Sequence, residues 1–332
     1  MTASRAGRSR RPRVVAFGGG HGLFASLRAL RRLDAELTAV VTVADDGGSS
    51  GRLRGEFGVL PPGDLRQALV ALAGEGLDTE LAAVLFQHRF PGSGPLGGHA
   101  VGNLILTGLS DVLGGPVPAL DHAGRMLGAC GRVLPMSAHP LAIEADVRGD
   151  DPARPTEVRV VRGQASVAKT HGEVLRVRIV PEQPPACPEA LAAVAEADWL
   201  VFGPGSWFTS VLPHFLVPEL REAIGASPAR KIVTLNLAAE PGETHGWSAE
   251  EHLAVFGSYA TELKVDTVLA DPRVVRDHTG LAGAAESLGA RLLVAPVAVA
   301  DGSPRHDPGA LAAALRSVLE RADQPGWDET GR

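Results

Sequence analysis

RVVAFGGGHGL, residues 13–23, is the stretch on which the reading of the fold turns. Arg13 to Phe17 is a short apolar run of strand type, and glycines follow at 18, 19, 20 and 22. From His21 to Leu33 the residues Leu23, Leu27 and Leu30 recur at helical spacing. A tight glycine turn between strand and helix exposes backbone N–H groups at the helix N-terminus, where the dipole favours an anion. Thr38 to Val43 is then a β-branched run that ends at Ala44-Asp45-Asp46. Strand, glycine loop, helix and strand within about thirty residues open a doubly wound α/β fold. The dinucleotide fingerprint is only partly met, because Leu23 stands where its third glycine belongs. A nicotinamide-dependent oxidoreductase is therefore the weakest of the functional readings.

The remaining chain continues the alternation. Leu65–Ala73, with Asp64 as its N-cap, reads as helix, as do Thr79–His88, Ala100–Leu113 and Leu120–Gly128. Between residues 132 and 180 short β-favouring runs (Leu141–Val147, Glu157–Val161, Val174–Val180) are broken by turn signals. This predicts a mostly antiparallel, β-rich insertion. Strands at Trp199–Phe202, Lys231–Leu235, Thr267–Leu269 and Leu292–Val294 follow, and a helix over Gly309–Arg321 closes the pattern. The expected organisation is one domain over 13–322 with a mostly parallel sheet. A disordered basic tail (1–12) precedes it and a loose tail (323–332) follows.

Aromatic residues make up only 4% of the chain, so Ala, Leu and Val must build most of the core. A formal charge of −6 argues against a general nucleic-acid binder, and the arginines of MTASRAGRSRRPR read as a solvated tail. No apolar stretch approaches the ~20 residues needed to cross a bilayer. Cys130 and Cys187 have neither metal-ligand nor disulfide-framework spacing, which suits a reducing cytoplasm.

Five polar constellations sit where strands should end. In the first loop Gly19, Gly20, His21 and Gly22 could cradle a diphosphate, since a Cβ would block its approach. In ADDGGSSGRLR (44–54), Asp45 and Asp46 could take ribose hydroxyls or a divalent metal such as Mg2+, with Ser49 and Ser50 as hydroxyl donors. PPGDLRQAL (61–69) adds Asp64 and Arg66 as a second wall. In GGHAVGN (97–103), His99 and Asn103 share one helix face, and a buried amide such as Asn103 can read a base or a sugar. FGPGSWFTS (202–210) supplies Gly203, Gly205, Ser206, Thr209 and Ser210, while Asn236 ends the next strand and Arg305 precedes the last helix. His214, His245 and His252 read as structural.

These stretches have a family likeness. FGGGHGL, TVADDGGSSGRLR, PPGDLRQALVAL, LFQHRF, GHAVGNL, GPGSWFTSVLP and NLAAEPGETHGW, in this order, closely resemble the YvcK family of gluconeogenesis factors within the CofD-like superfamily. The likeness covers Arg13 to Arg321. It implies a modified Rossmann-like fold, a cytoplasmic location and binding of UDP-N-acetylglucosamine or a related UDP-sugar. It also implies regulation of cell shape and cell-wall supply during gluconeogenic growth. CofD enzymes proper transfer a phospholactyl group from a guanosine diphosphate donor, and their acid loop resembles the one holding Asp45 and Asp46. Where they carry Asp-Leu-Asp, this chain has Asp64-Leu65-Arg66, which removes a metal ligand and adds a phosphate partner. His21 replaces the family's usual Thr.

The leading expectation is a UDP-sugar-binding regulator without turnover that signals to a protein partner. The glycine loops take the diphosphate, Asn103 and Asn236 the base or sugar, and Arg305 the diphosphate charge. The alternative is a 2-phospho-L-lactate transferase. A homo-oligomer is compatible with either.

Overall fold

A computed structural model describes residues 10–240, 243–261 and 263–321. Strand β1 (Arg13–Gly18), helix α1 (Gly20–Leu30) and β2 (Glu36–Val41) form the predicted opening unit. Helices α2 (Gly48–Phe57), α3 (Pro62–Ala71), α4 (Leu77–Gln87), α5 (Val101–Leu113) and α6 (Pro116–Met126) lead to β3 (Gly131–Pro135). A small unit follows, made of β4 (Ala142–Arg148), β5 (Val158–Arg162), the single turn α7 (Gln164–Val167) and β6 (Glu173–Val180). Next come α8 (Pro188–Ala195), β7 (Trp199–Phe202), a π-helical turn (Trp207–Val211), α9 (Pro213–Leu216), α10 (Pro218–Ala226) and β8 (Arg230–Thr234). The chain ends with α11 (Ala249–Tyr259), β9 (Thr267–Ala270), α12 (His278–Glu286), β10 (Arg291–Val294) and α13 (Pro308–Arg321).

The main sheet has the order β10-β9-β8-β7-β1-β2-β3, and every pairing in it is parallel. β1 and β7 are apolar and buried on both faces, as a covered parallel sheet requires. From β1 the chain winds outward through β2 and β3, then returns and winds the other way through β7 to β10. The reversal falls between β1 and β7, and open α/β sheets bind ligands at such a switch point. The few aromatics are concentrated there. Phe17 and Phe202 stack at 4.9 Å across the two strands, and Phe202 meets Phe215 and Phe256 at 5.2 and 5.6 Å.

Several local expectations are corrected. GSSGRLRGEF, read as polar loop, is helix α2; its glycines weaken intrinsic propensity, but buried Ser49, Ser50 and Leu53 anchor it and Gly58 closes it with φ +65°. Asp64 does not cap α3, which starts at Pro62 behind Pro61, so its carboxyl is free to point elsewhere. Within 132–180, β3 belongs to the parallel sheet, and only β5-β4-β6 form the antiparallel unit. Of the two tails, residues 1–9 and 322–332 lie outside the described residues. Arg10 and Arg11 are not loose: they pair with Asp198 and Asp34 at 2.7 and 2.6 Å.

The antiparallel unit is tied to the main body at its β6 side, where the Val177 N–H donates to the Tyr259 hydroxyl at 2.8 Å. Tyr259→Phe should cost about 1 kcal/mol. Hydrogen exchange should locate the loosening at Val177 and its neighbours in β6, with β1 and β7 unchanged. Equal exchange at β6 in both proteins would count against the tether.

Candidate functional site

Phe17 lies opposite Phe202, so β1 and β7 leave the sheet at one level, each into a glycine turn. The turns touch. A Cβ on Gly22 would stand 1.9 Å from the Pro204 carbonyl oxygen, so no other residue fits that position. Asn236, just beyond β8, accepts from the Gly205 N–H at 2.6 Å and donates to the Gly205 carbonyl at 2.8 Å. That double bond to the backbone holds Gly205 at φ +134°, a conformation that favours glycine. Asn236, expected to take the base or sugar, uses this side chain to shape the second turn.

Helix α1 starts behind Gly19 with no side-chain cap. The first N–H groups of a helix lack a carbonyl partner within it. The Gly20 N–H donates to Asp64, and those of His21 and Gly22 remain for an anion. His21 itself is exposed. Asp64 is buried against this loop: a Cβ on Gly19 would come within 2.7 Å of its Oδ2 and 2.5 Å of Thr42 Cγ2. Burial, and then the neighbouring charge of Asp45, push the Asp64 carboxyl up to about 7, against the pull of the Gly20 N–H and of Arg66. Asp45 lies beside it, its Oδ1 accepting from Gly47 N–H at 2.9 Å. Ser50 joins α2 to α3 by accepting from Gly63 N–H at 3.0 Å.

Beyond the second turn, the Ser206 hydroxyl donates to Glu243 at 2.6 Å and accepts from the Thr209 N–H at 3.1 Å. Glu243 is 3% exposed, and burial pushes it up to about 7 although Ser206, Thr209 and the Phe208 N–H stabilise its charge. Glu243 lies within the NLAAEPGETHGW stretch, but no periodicity there marks it as a site residue. Ser210 Oγ lies beside Gly19, where a Cβ would meet it at 3.5 Å. Next to Asn236 opens a cavity of about 350 Å³, lined in part by His245, Trp247, His252, Arg273 and Arg276. His252 was read as structural. Its Nδ1 faces the Ser248 carbonyl at 2.7 Å, so Nδ1 carries the proton and Nε2 is an acceptor. That buried Nε2 has no partner among the described residues, and neither do Thr42 Oγ1 and Gln164 Oε1. Thr42 adjoins Gly19, while Gln164 reaches the Thr209 carbonyl at 3.5 Å.

Other expected contacts are committed inside the protein. Asn103, 1% exposed, donates to Ser49 Oγ at 2.9 Å and accepts from Arg66 Nε at 2.8 Å. Ser49 also bonds His99 Nδ1 at 2.9 Å, and Arg66 continues to Gln87. This buried chain locks α2, α3 and α5 together, so these hydrogen bonds of Ser49, Arg66 and Asn103, expected as ligand contacts, are made inside the protein. Burial and the charge of Arg89 lower Arg66 to about 10. Asp46 turns to the antiparallel unit, accepting from Ala165 N–H at 2.9 Å. Arg305 is exposed and bonded to Asp301 at 2.7 Å and Ser303 at 2.9 Å; it has no described contact with the crevice. What converges is Gly19–Gly22, Asp45, Asp64, Gly203–Ser206, Thr209, Ser210 and Asn236, with Ser50 behind. Among the described residues no group of three His, Cys, Asp or Glu side chains could hold a metal.

The profile of the family described as 2-phospho-L-lactate transferase CofD matches residues 14–287. A Mycobacterium tuberculosis protein is 54% identical over 311 residues, covering 93% of this chain and 90% of its own length. The gluconeogenesis factor of Bacillus subtilis is 37% identical over 269 residues, 81% of each chain. A crystal structure of a UPF0052 family member from Bacillus halodurans superposes with a TM-score of 0.83 at 34% identity, over 93% of this chain and all of that one. The chain belongs to the CofD family and, within it, to the gluconeogenesis factors of the YvcK group.

Asp64 has a direct consequence for stability. Its folded value of about 7 exceeds the ordinary 3.8, so its contribution is present in acid and is lost as pH rises through 7. Asp64→Asn should leave the melting temperature near wild type at pH 4 and raise it at pH 8. Each pH unit separating the two values is worth about 1.4 kcal/mol. A melting temperature lowered equally at both pH values would contradict the buried, proton-holding carboxyl.

Proposed function

We propose that the crevice binds the diphosphate of a nucleotide sugar, with UDP-N-acetylglucosamine as the expected ligand, and that the protein reports its level without turnover. The observation that carries this reading is the meeting of two glycine turns at the switch point, bordered by three buried polar atoms that lack partners. The N–H groups of His21 and Gly22 would receive the phosphates at the head of α1. The cavity beside Asn236 would take the base or the sugar, with Trp247 as an apolar wall and Arg273 or Arg276 for charge. His252 Nε2 would accept a hydrogen bond from a ligand N–H or O–H. Asp45 and Asp64 offer two carboxylates beside the loop, which suits Mg2+ when phosphate oxygens complete the shell. Such an ion would neutralise diphosphate charge near Asp64.

The absence of turnover is supported by Arg66. In CofD transferases a second acid is expected at that position, and here a buried guanidinium bonded to Asn103 and Gln87 occupies it. On this reading the protein couples the supply of a cell-wall precursor to cell shape through a protein partner in the cytoplasm. The described residues contain no helix long and apolar enough to cross a membrane.

Titration calorimetry with UDP-N-acetylglucosamine and Mg2+ should give saturable 1:1 heat. His252→Phe should weaken binding roughly fivefold, the worth of one neutral hydrogen bond, while Arg305→Ala leaves it unchanged. Burial lowers His252, so the acceptor persists at neutral pH, and affinity should fall only below the ordinary histidine range. No heat at millimolar ligand would refute the binding reading. Phospholactyl transfer from a guanosine diphosphate donor would refute the claim of no turnover.

A further inference from the structure

At the end of α1 opposite the glycine loop, the surface holds a pocket of about 480 Å³. Arg28, Arg31, Arg32 and Arg316 line it, with Glu75 as the single carboxylate of the lining. Four guanidinium groups around one acid are a local excess of positive charge in a chain whose formal charge is −6. The side chains of Arg28, Arg31 and Arg32 make no hydrogen bond or ion pair with any described residue. Arg316 gives one N–H to the Arg32 carbonyl at 3.2 Å, and its nearest carboxylate, Glu320, is 4.0 Å away. Partial burial and the charges of Arg31 and Arg32 lower the Arg28 value, the mark of like charges held together.

The rest of the lining is Gly309, Ala312 and Ala313. These small residues leave the space open; a Cβ on Gly309 would stand 3.1 Å from Asp307 Oδ1 and 3.3 Å from the Arg32 guanidinium, so one further carboxylate lies at the rim of the lining. The lining has no aromatic ring on which a nucleobase could stack. Planar guanidinium forks match phosphate oxygens in pairs, and pockets of this volume accept small molecules.

We propose that this pocket is a second ligand site, for a small multiply phosphorylated anion without a base, either a sugar bisphosphate or a short polyphosphate. The site is independent of the crevice. Its occupant would bridge α1 and α13 through charge-assisted hydrogen bonds to these guanidinium groups.

Inorganic tripolyphosphate and a hexose bisphosphate should be titrated separately into the full chain at physiological salt. One of them, at least, should bind 1:1, and the tighter of the two identifies the source of the phosphates. The double variant Arg31→Ala/Arg316→Ala, altered at solvent-accessible positions, should lose roughly tenfold or more in affinity. Its melting curve without ligand should match wild type. Glu75→Gln, which removes only the opposing charge, should tighten binding. The proposal is overturned if neither anion saturates at millimolar concentration, or if the double variant binds as wild type does. It is equally overturned if sulfate at matched ionic strength displaces the anion as well as the anion itself does, which would reduce the effect to charge screening.

Discussion

The constraint on which the molecule depends is a contact between two stretches of backbone. Gly22 and the Pro204 carbonyl approach so closely that a single added carbon would overlap them. Neighbouring parallel strands stand about 4.8 Å apart, and both chains must turn away from that spacing without side chains between them. The Phe17–Phe202 stack beneath the turns fixes the level at which they begin. Asn236 fixes the far turn from the side. The crevice is thus defined by main chain, which no change of rotamer can shut or widen.

Around this rigid floor the protein places charge against the usual preference for solvation. Asp64 and Glu243 are carboxyls lifted to about 7 by burial, one beside each turn. Burying such groups is unfavourable unless partners compensate. Here they bond to the turns themselves, Asp64 to the Gly20 N–H and Glu243 to Ser206. The two acids hold the loops in shape, and because burial favours their protonated forms a phosphate meets less repulsion than two full charges would impose.

The fold was legible in the chain because its strands are apolar runs ending in glycine or acid, and β1, β2, β7 and β9 each announced themselves that way. Helix α2 did not, since glycine and serine speak for a loop and only burial of Ser49, Ser50 and Leu53 overrides them. The site was half legible. Glycine positions carry their reason locally, in the turn they permit. Polar side chains do not: Asn103 and Asn236 were marked correctly as unusual, but a sequence cannot say whether a buried amide faces a ligand or another part of the chain. Glu243, within NLAAEPGETHGW, and His252 stand out only in the structure, one through its bond to Ser206 and the other through an Nε2 with no partner among the described residues. Arg305 is a charge near a strand end whose bonds in the structure go to Asp301 and Ser303.

The antiparallel unit has a role that its small size conceals. Asp46 follows β2 and holds Ala165, while Gln164 reaches Thr209 beyond β7. In the sheet β2 and β7 flank β1 on either side. Helix α7 therefore links the loop after β2 to the turn after β7. The strand ends on either side of the switch point cannot move apart unless one of these bonds opens.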